Sequence, residues 1–468
     1  MISLLTFLTS FTVGSLLALL EFSMPVVVLG TIAAGLGFMG LFGIAFRRAL
    51  VKNTIGMIEA EALFLESRVH DALTFERRRA RIASWWDRFS PDLSLALPIY
   101  VSLTSKCLAT RQIDEAQRWI ARLEEYTGQR VRRLARYFRL LAASLAGDLA
   151  TVERQATEMR ARLDPGQPEE RGLLAQLAFL QARWAIRRHD LPAALRLTRE
   201  GHELQPELDA YYALRSQIAL VDGDITAAQT YAGSLASTRM GANPPGPTAL
   251  FQQILPILKS HENEFGTELE RLREMLAIER LRFRAQGLYP QLEVAILSRD
   301  PALLEATIRS LEAIASQHPA ATMRLQIAAV HHFSWQGHEA HAHALSEQAI
   351  QSMTHPACSD EDMACGLAWM ALAAASINSQ QLLPRILKLG NTVPIFSHHA
   401  LCQHIVTFAG LCREISQLGI APERIERWNT LKQSPPARAI ANHYDDAETR
   451  LGITVRTEPP PTSMPTSS

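Results

Sequence analysis

The sequence predicts an all-α protein in which a two-helix transmembrane hairpin precedes a TPR-like α-solenoid. The first 46 residues contain two long uncharged stretches. Beyond residue 50, Ala, Leu, Arg and Glu recur at helical spacing, with almost no alternating β-branched runs. Two stretches near the middle of the chain repeat at a fixed offset, which indicates stacked helix pairs.

The N-terminal region has two stretches without charge, at residues 2–20 and 25–46. Each is about as long as a helix needs to cross a hydrocarbon core of about 30 Å. Only EFSM separates them, so we predict a transmembrane hairpin over residues 1–46. Small side chains on one face of a span let two helices approach closely in lipid. We assign this packing role to Ser10, Gly14, Gly30, Gly37 and Gly40.

The second span contains GLGFMG at residues 35–40, which has the G-x-G-x-x-G spacing of a dinucleotide-binding turn. Such a turn follows a short buried strand and opens an amphipathic helix, because the pyrophosphate sits at that helix's N-terminus. Here the uncharged run continues to Phe46, so neither neighbour is present. We interpret the glycines as helix packing and predict no cofactor.

Charge around the hairpin predicts its orientation. Arg47, Arg48 and Lys52 follow the second span, whereas the turn between the spans carries only Glu21. The positive-inside rule therefore predicts that the hairpin lies in a bacterial inner membrane, with the chain after residue 46 in the cytoplasm. Five irregularly spaced cysteines suit that reducing compartment. The net charge is zero, which gives no general attraction to nucleic acid.

The remaining chain divides at Pro- and Gly-rich breaks. We predict a juxtamembrane helix at 47–90, TPR-like helical repeats at 91–240 and a further helical-repeat region at 248–450. The Pro- and Ser-rich end, 456–468, is predicted to be a disordered tail.

Two stretches define the repeat: HDLPAALRL at 189–197 and GDITAAQTY at 223–231. Their offset of 34 residues is the period of the tetratricopeptide repeat. We predict that Ala193 and Ala227 let the second helix of each pair lie close to the first. The residues assigned to repeat packing are Leu180, Trp184, Ala193 and Leu197 in the first copy, and Leu214, Ala227 and Tyr231 in the second.

A membrane hairpin, a basic juxtamembrane helix and degenerate tetratricopeptide repeats together resemble the HemY-type inner-membrane proteins of proteobacteria. The resemblance is architectural and covers residues 1 to about 240. That family is named for an association with haem biosynthesis. The resemblance therefore implies a membrane-anchored repeat protein and leaves an accessory role in haem metabolism open.

No catalytic motif is visible in the sequence, and we predict a non-enzymatic scaffold that binds other proteins and no specific small molecule. The alternative is an accessory factor that binds porphyrin or metal through histidine clusters. One cluster contains His338 and His341, one helical turn apart; the other contains His398, His399, Cys402 and His404.

The hairpin yields a topological prediction. A reporter fused after residue 60 is expected to be active only if it functions in the cytoplasm, because Arg47, Arg48 and Lys52 retain that end of the second span inside. Activity of an exported phosphatase at the same fusion point would contradict the orientation.

Overall fold

A computed structural model describes residues 55–57, 59–64, 68–87, 96–241, 262–315, 319–355, 358–377, 379 and 381–453. All regular structure in these ranges is helical, so the all-α prediction is confirmed. None of the helices in these ranges is both long and apolar enough to cross a membrane. The predicted hairpin, with Ser10, Gly14, Gly30, Gly37 and Gly40, lies outside the described residues, as does the predicted tail.

Most of the described residues lie in α-helices. In order they are α1 (Val69–Asp87), α2 (Leu97–Ala109), α3 (Ile113–Glu124), α4 (Gln129–Leu145), α5 (Leu149–Arg160), α6 (Pro168–Arg187), α7 (Leu191–Leu204), α8 (Ala210–Asp222), α9 (Ile225–Gly241), α10 (Glu262–Leu297), α11 (Pro301–Ala315), α12 (Pro319–Trp335), α13 (Glu339–Met353), α14 (Asp360–Ser376), α15 (Leu382–Gly390), α16 (Pro394–His398), α17 (Ala400–Leu418), α18 (Pro422–Gln433) and α19 (Ala441–Leu451). A 3₁₀ helix at Pro435–Ile440 precedes α19.

A one-residue left-handed turn joins many consecutive helices. His189 has a φ of 62°, and Gly223, 34 positions later, has a φ of 86°. The next backbone N–H closes the turn by donating to a carbonyl five residues earlier: Asp190 donates to Ala185 over 2.8 Å. This satisfies a carbonyl that the helix end would otherwise leave without a partner. The same left-handed conformation occurs at Arg111, Gly147, Arg299 and Gly337.

The residue after the left-handed position, here called the cap residue, begins the next helix. The Asp190 carboxylate accepts the N–H of Ala193 over 3.2 Å, and the Asp224 carboxylate accepts that of Ala227 over 3.0 Å. These bonds satisfy amides that the helix start leaves unpaired. In sequence terms, each aspartate in the repeated motif is an N-cap.

The buried position lies four residues beyond the cap, one residue later than the sequence assignment. Ala194 and Ala228 are fully buried, whereas Ala193 and Ala227 keep partial exposure. The same rule extends beyond the two copies seen in the sequence. The residues four positions after the cap in three further turns, all fully buried, are Ala116, Leu304 and Ala342.

The chain forms two compact units, and the boundary between them falls within α10. Unit 1 comprises Met1–Asp148 with Pro245–Glu279. Lys106 is buried in it, 2.7 Å from Glu61 Oε2 and 3.3 Å from Glu76 Oε1. Burying an ammonium requires such partners, because an isolated charge in the interior is costly. The apolar core around it includes Leu73, Ile99, Leu103, Ile120 and Leu123.

Unit 2 comprises Leu149–Pro244 with Arg280–Ser468. Helix α6 packs on α7, α8 on α9, and α12 on α13, while α14 packs against α12, α15 and α17. The approach of α7 to α6 is close at Gly201, where an added Cβ would lie 2.6 Å from the Phe179 ring.

The C-terminal segment, residues 434–453, lies along the ends of helices in unit 2. His443 Nε2 donates to the carbonyl of Ile296 over 2.7 Å, and Arg450 donates to that of Ala375 over 2.8 Å. Burial lowers the pKa of His443 to about 4, so its ring is neutral at pH 7. Because these carbonyls belong to the last turns of α10 and α14, the segment satisfies acceptors that the helices cannot.

The buried position beyond the cap generates a stability prediction. Ala194→Trp is expected to overpack the α6–α7 contact and to lower the free energy of unfolding by about 1–3 kcal/mol or more, because the site is fully buried. Hydrogen exchange on the full chain is expected to show lost protection centred on residues 168–241.

Ala193→Trp is the matched control. It changes the neighbouring residue by the same volume, but at a position that keeps partial exposure, so the loss of protection is expected to be clearly smaller. Equal effects of the two substitutions would contradict the assignment of the buried position.

Candidate functional site

Polar side chains from several helices of unit 2 interact with one another. We call this set the inner recess; its members are Arg183 and Arg187 on α6, Gln217 on α8, Glu293 on α10, Arg324 on α12, and Glu361 and Asp362 on α14. Glu293 and Asp362 keep partial exposure, although burial acts strongly on the pKa of each. Both side chains are therefore surrounded by protein but still reached by solvent, as in a recess.

One ion pair joins α6 to α14, which are far apart in sequence. Arg187 Nη2 lies 3.4 Å from Glu361 Oε1, and Arg183 Nη1 lies 3.9 Å from Glu361 Oε2. Burial alone would raise the pKa of Glu361, and the charges of Arg187 and Arg183 bring it below its ordinary value. Arg187 also lies over the Trp184 ring, 4.6 Å from its centroid. Helix α6 therefore presents a fixed positive charge to α14.

A second ion pair lies deeper, between Arg324 and Asp362. Asp362 also accepts from Ser359 within a capping box that begins α14. Burial would raise the pKa of Asp362, but Arg324 and Ser359 lower it. The Arg324 guanidinium lies 4.0 Å from the centroid of Tyr289 and 5.2 Å from that of Trp369. Both rings hold the guanidinium in place through cation–π contact.

Glu293 differs from the other two carboxylates of the recess. Burial raises its pKa to about 7, against smaller lowering effects of Arg324 and Gln217. Within the described part of the chain, no cation lies within ion-pair distance of it. Near neutral pH this carboxyl is therefore divided between its protonated and ionised forms.

Two buried polar atoms on α10 and α12 lack hydrogen-bond partners within the described ranges. They are the Tyr289 hydroxyl and Arg324 Nε. Buried polar groups are rarely left unsatisfied, since each costs about 1–3 kcal/mol. The recess thus holds hydrogen-bonding capacity that the protein itself does not use.

The predicted histidine clusters are placed differently from one another. His338 and His341 are exposed, with ring centroids 6.3 Å apart. His404 is buried, and both of its ring nitrogens are engaged: Nδ1 with Ser434 and Nε2 with Tyr444, each at 3.1 Å. Within the described residues, no three or more potential metal ligands come together.

His398, His399 and Cys402 complete that second cluster. His398 is exposed. Burial lowers the pKa of His399 to about 4, with Arg187 acting in the same direction. The thiol of Cys402 donates to the carbonyl of Ala364 over 3.8 Å. His399 and Cys402 therefore belong to the wall of the inner recess.

The residues assigned to repeat packing lie in unit 2. Trp184 and Leu214 are buried, and Leu180 and Leu197 are partly buried. The Tyr231 hydroxyl accepts from Arg215 over 2.9 Å. Thr198, next to Leu197, is fully buried.

The sequence interpretation singled out none of the charged members of the recess. A partial signal existed: Ser359 and Asp362 have capping-box spacing, and Arg187 follows Trp184 by three residues on a helix. Neither spacing says which distant helix would supply the opposite charge.

Comparison with known protein families and with curated protein sequences finds no match to this chain. The geometry of the recess must therefore carry the functional argument.

Proposed function

We propose that this chain is an inner-membrane-anchored scaffold or adaptor that binds other proteins through the inner recess of unit 2. The observation that carries the proposal is the convergence of charged side chains from α6, α10, α12 and α14 on one recess. Curved stacks of helix pairs bind partners on their inner surface. Fixed charges and unused hydrogen-bonding groups are what a specific partner would recognise.

The anchor belongs to the same proposal. We assign it to a transmembrane hairpin over residues 1–46, with the remaining chain in the cytoplasm and the helix pairs forming a TPR-like α-solenoid. The uncharged spans and the basic residues that follow them support this arrangement. This proposed architecture resembles that of the HemY-type inner-membrane proteins.

The protonation and pairing of the side chains in the recess favour binding of a partner over catalysis. Burial raises the pKa of Cys365 and Cys402, which keeps both thiols protonated and weakly nucleophilic near pH 7. The three arginines are held by Glu361 and Asp362. The recess is accordingly proposed to recognise a surface of a partner protein.

The test compares two charge reversals in the full chain. Arg183→Glu places a carboxylate beside Glu361 at the accessible edge of the recess, where the Arg183 side chain is 45% exposed. The amount of partner protein cross-linked in cells and recovered with the variant is expected to be about fivefold or more below that of the wild type. A partner group that is complementary to the positive charge of Arg183 would face a like charge in the variant, and like charges at an interface are strongly unfavourable. Quantitative mass spectrometry of the purified complexes measures the change.

The control is Arg309→Glu on α11, where the side chain is 71% exposed and pairs only weakly with Glu305, at 3.9 Å. It is expected to leave recovery unchanged. Recovery of the same proteins in the same amounts with both variants would contradict binding through the recess.

A further inference from the structure

The C-terminal helix α19 contacts the end of α10, the helix that carries Glu293. Asn442 Nδ2 donates to the carbonyl of Ser298 over 2.5 Å, and His443 Nε2 donates to the carbonyl of Ile296 over 2.7 Å. Carbonyls at a helix end have no partner within the helix, so these two bonds fix α19 to a defined point on α10.

The other end of α19 contacts α14, the helix that begins with Asp360 and carries Glu361. Arg450 Nη1 donates to the carbonyl of Ala375 over 2.8 Å and to that of Ser376 over 3.3 Å. Both carbonyls lie at the C-terminal end of α14. One short helix therefore joins two helices that supply acidic residues to the inner recess.

Asp446 lies between these two sets of contacts. Its Oδ1 forms an ion pair with Arg299, in the turn that follows α10. Its Oδ2 lies 3.7 Å from Nε of Arg450, the residue that holds the end of α14. The Arg299 guanidinium also lies 5.9 Å from the ring centroid of Trp335, at the end of α12. A single carboxylate thus connects the ends of α10 and α14.

The held end of α14 determines where its other end lies. The helix has 17 residues, which makes it about 25 Å long, so a tilt of about 5° at one end moves the other by roughly 2 Å. Glu361 lies at that other end, with its Oε1 3.4 Å from Arg187 Nη2. A displacement of this size is large compared with that distance, and a small tilt is enough to separate the ion pair.

We propose that Asp446 is a positioning residue of the inner recess, holding the ends of α10 and α14 in a fixed relation and so setting the separation of Glu293 and Glu361. The inference rests on the proposed function, because the recess positioned in this way is the surface that binds the partner. Partner binding then depends on a residue that contributes no group to the recess.

Positioning by Asp446 can be separated from folding. The side chains of Arg299, Asp446 and Arg450 are 22%, 28% and 34% exposed, and ion pairs that solvent reaches contribute little to the free energy of unfolding. The fully buried Tyr444 and Ala447 anchor α19 independently of the carboxylate. Asp446→Asn is therefore expected to keep the helical content and the melting temperature close to those of the wild type.

The experiment uses the purified full chain carrying Arg187→Lys, which provides an amine beside Glu361. Carbodiimide joins the two as an amide, and mass spectrometry of the linked peptides measures the yield. Adding Asp446→Asn is expected to lower this yield about threefold or more, because coupling depends steeply on how the two groups are placed. Asp446→Glu keeps the carboxylate and is expected to retain most of the yield.

A second variant and a matched control complete the comparison. Arg450→Met removes the contacts to α14 while keeping the aliphatic stem, so the same fall in yield is expected; it also keeps the test decisive if Asp446→Asn fails to fold. Asp445→Asn makes the same change at the neighbouring residue, whose side chain is 71% exposed and lies 3.4 Å from Lys432. It is expected to leave the yield unchanged.

Equal amide yields from Asp446→Asn and Asp445→Asn would overturn the positioning role, as would a loss that Asp446→Glu fails to restore. Partner recovery in cells is expected to fall with Asp446→Asn and not with Asp445→Asn. The coupling needs no partner, so its result is independent of the proposed function. If the yield falls as expected while Arg183→Glu leaves partner recovery unchanged, the proposed function is rejected and the positioning role stands.

Discussion

The helix pairs depend on one steric constraint, the burial of the residue four positions after each cap. Where that residue is alanine, as at Ala116, Ala194, Ala228 and Ala342, the second helix can lie close to the first. The left-handed residue before the cap reverses the chain within a single position. Because the turn is so short, it fixes which faces of the two helices meet. The close contact within these helix pairs follows from this repeated geometry.

The recess itself is held by charge. Arg187 on α6 reaches Glu361 on α14, although seven helices of the described ranges lie between them along the chain. Arg187 is buried and Glu361 is partly exposed, so the attraction between them is offset by the cost of removing the guanidinium from water. The value of this ion pair is geometric, since it aligns Glu361 and leaves Glu293 as the acid without a partner cation. The apolar contacts between paired helices stabilise the fold, whereas the recess supplies charged groups.

The sequence predicted the helical class and the repeat, because both depend on local patterns that persist over many residues. It placed the small packing residues at Ala193 and Ala227, whereas Ala194 and Ala228 are the fully buried ones. Each copy contains an alanine doublet, so both registers match the sequence equally well. Only the bond from the cap carboxylate to the N–H of the first alanine separates them.

The recess could not be predicted in the same way. Its members lie on helices that are far apart in the sequence. No local spacing connects Arg187 with Glu361, or Gln217 with Glu293. The histidines, by contrast, drew attention because they cluster in sequence, yet His404 serves the packing of the C-terminal segment through Ser434 and Tyr444.

Side chains of α6 and α14 meet in the inner recess, and zero-length cross-linking tests this contact directly. In the full chain, Arg187→Lys provides an amine where the guanidinium lies 3.4 Å from the carboxylate of Glu361. Carbodiimide treatment is predicted to form an amide between residues 187 and 361, identified by mass spectrometry of the joined peptides. Arg188→Lys, one residue later, is the control and is predicted to couple to Glu153 instead. Coupling of residue 188 to Glu153 without any coupling of residue 187 to Glu361 would contradict the contact between α6 and α14.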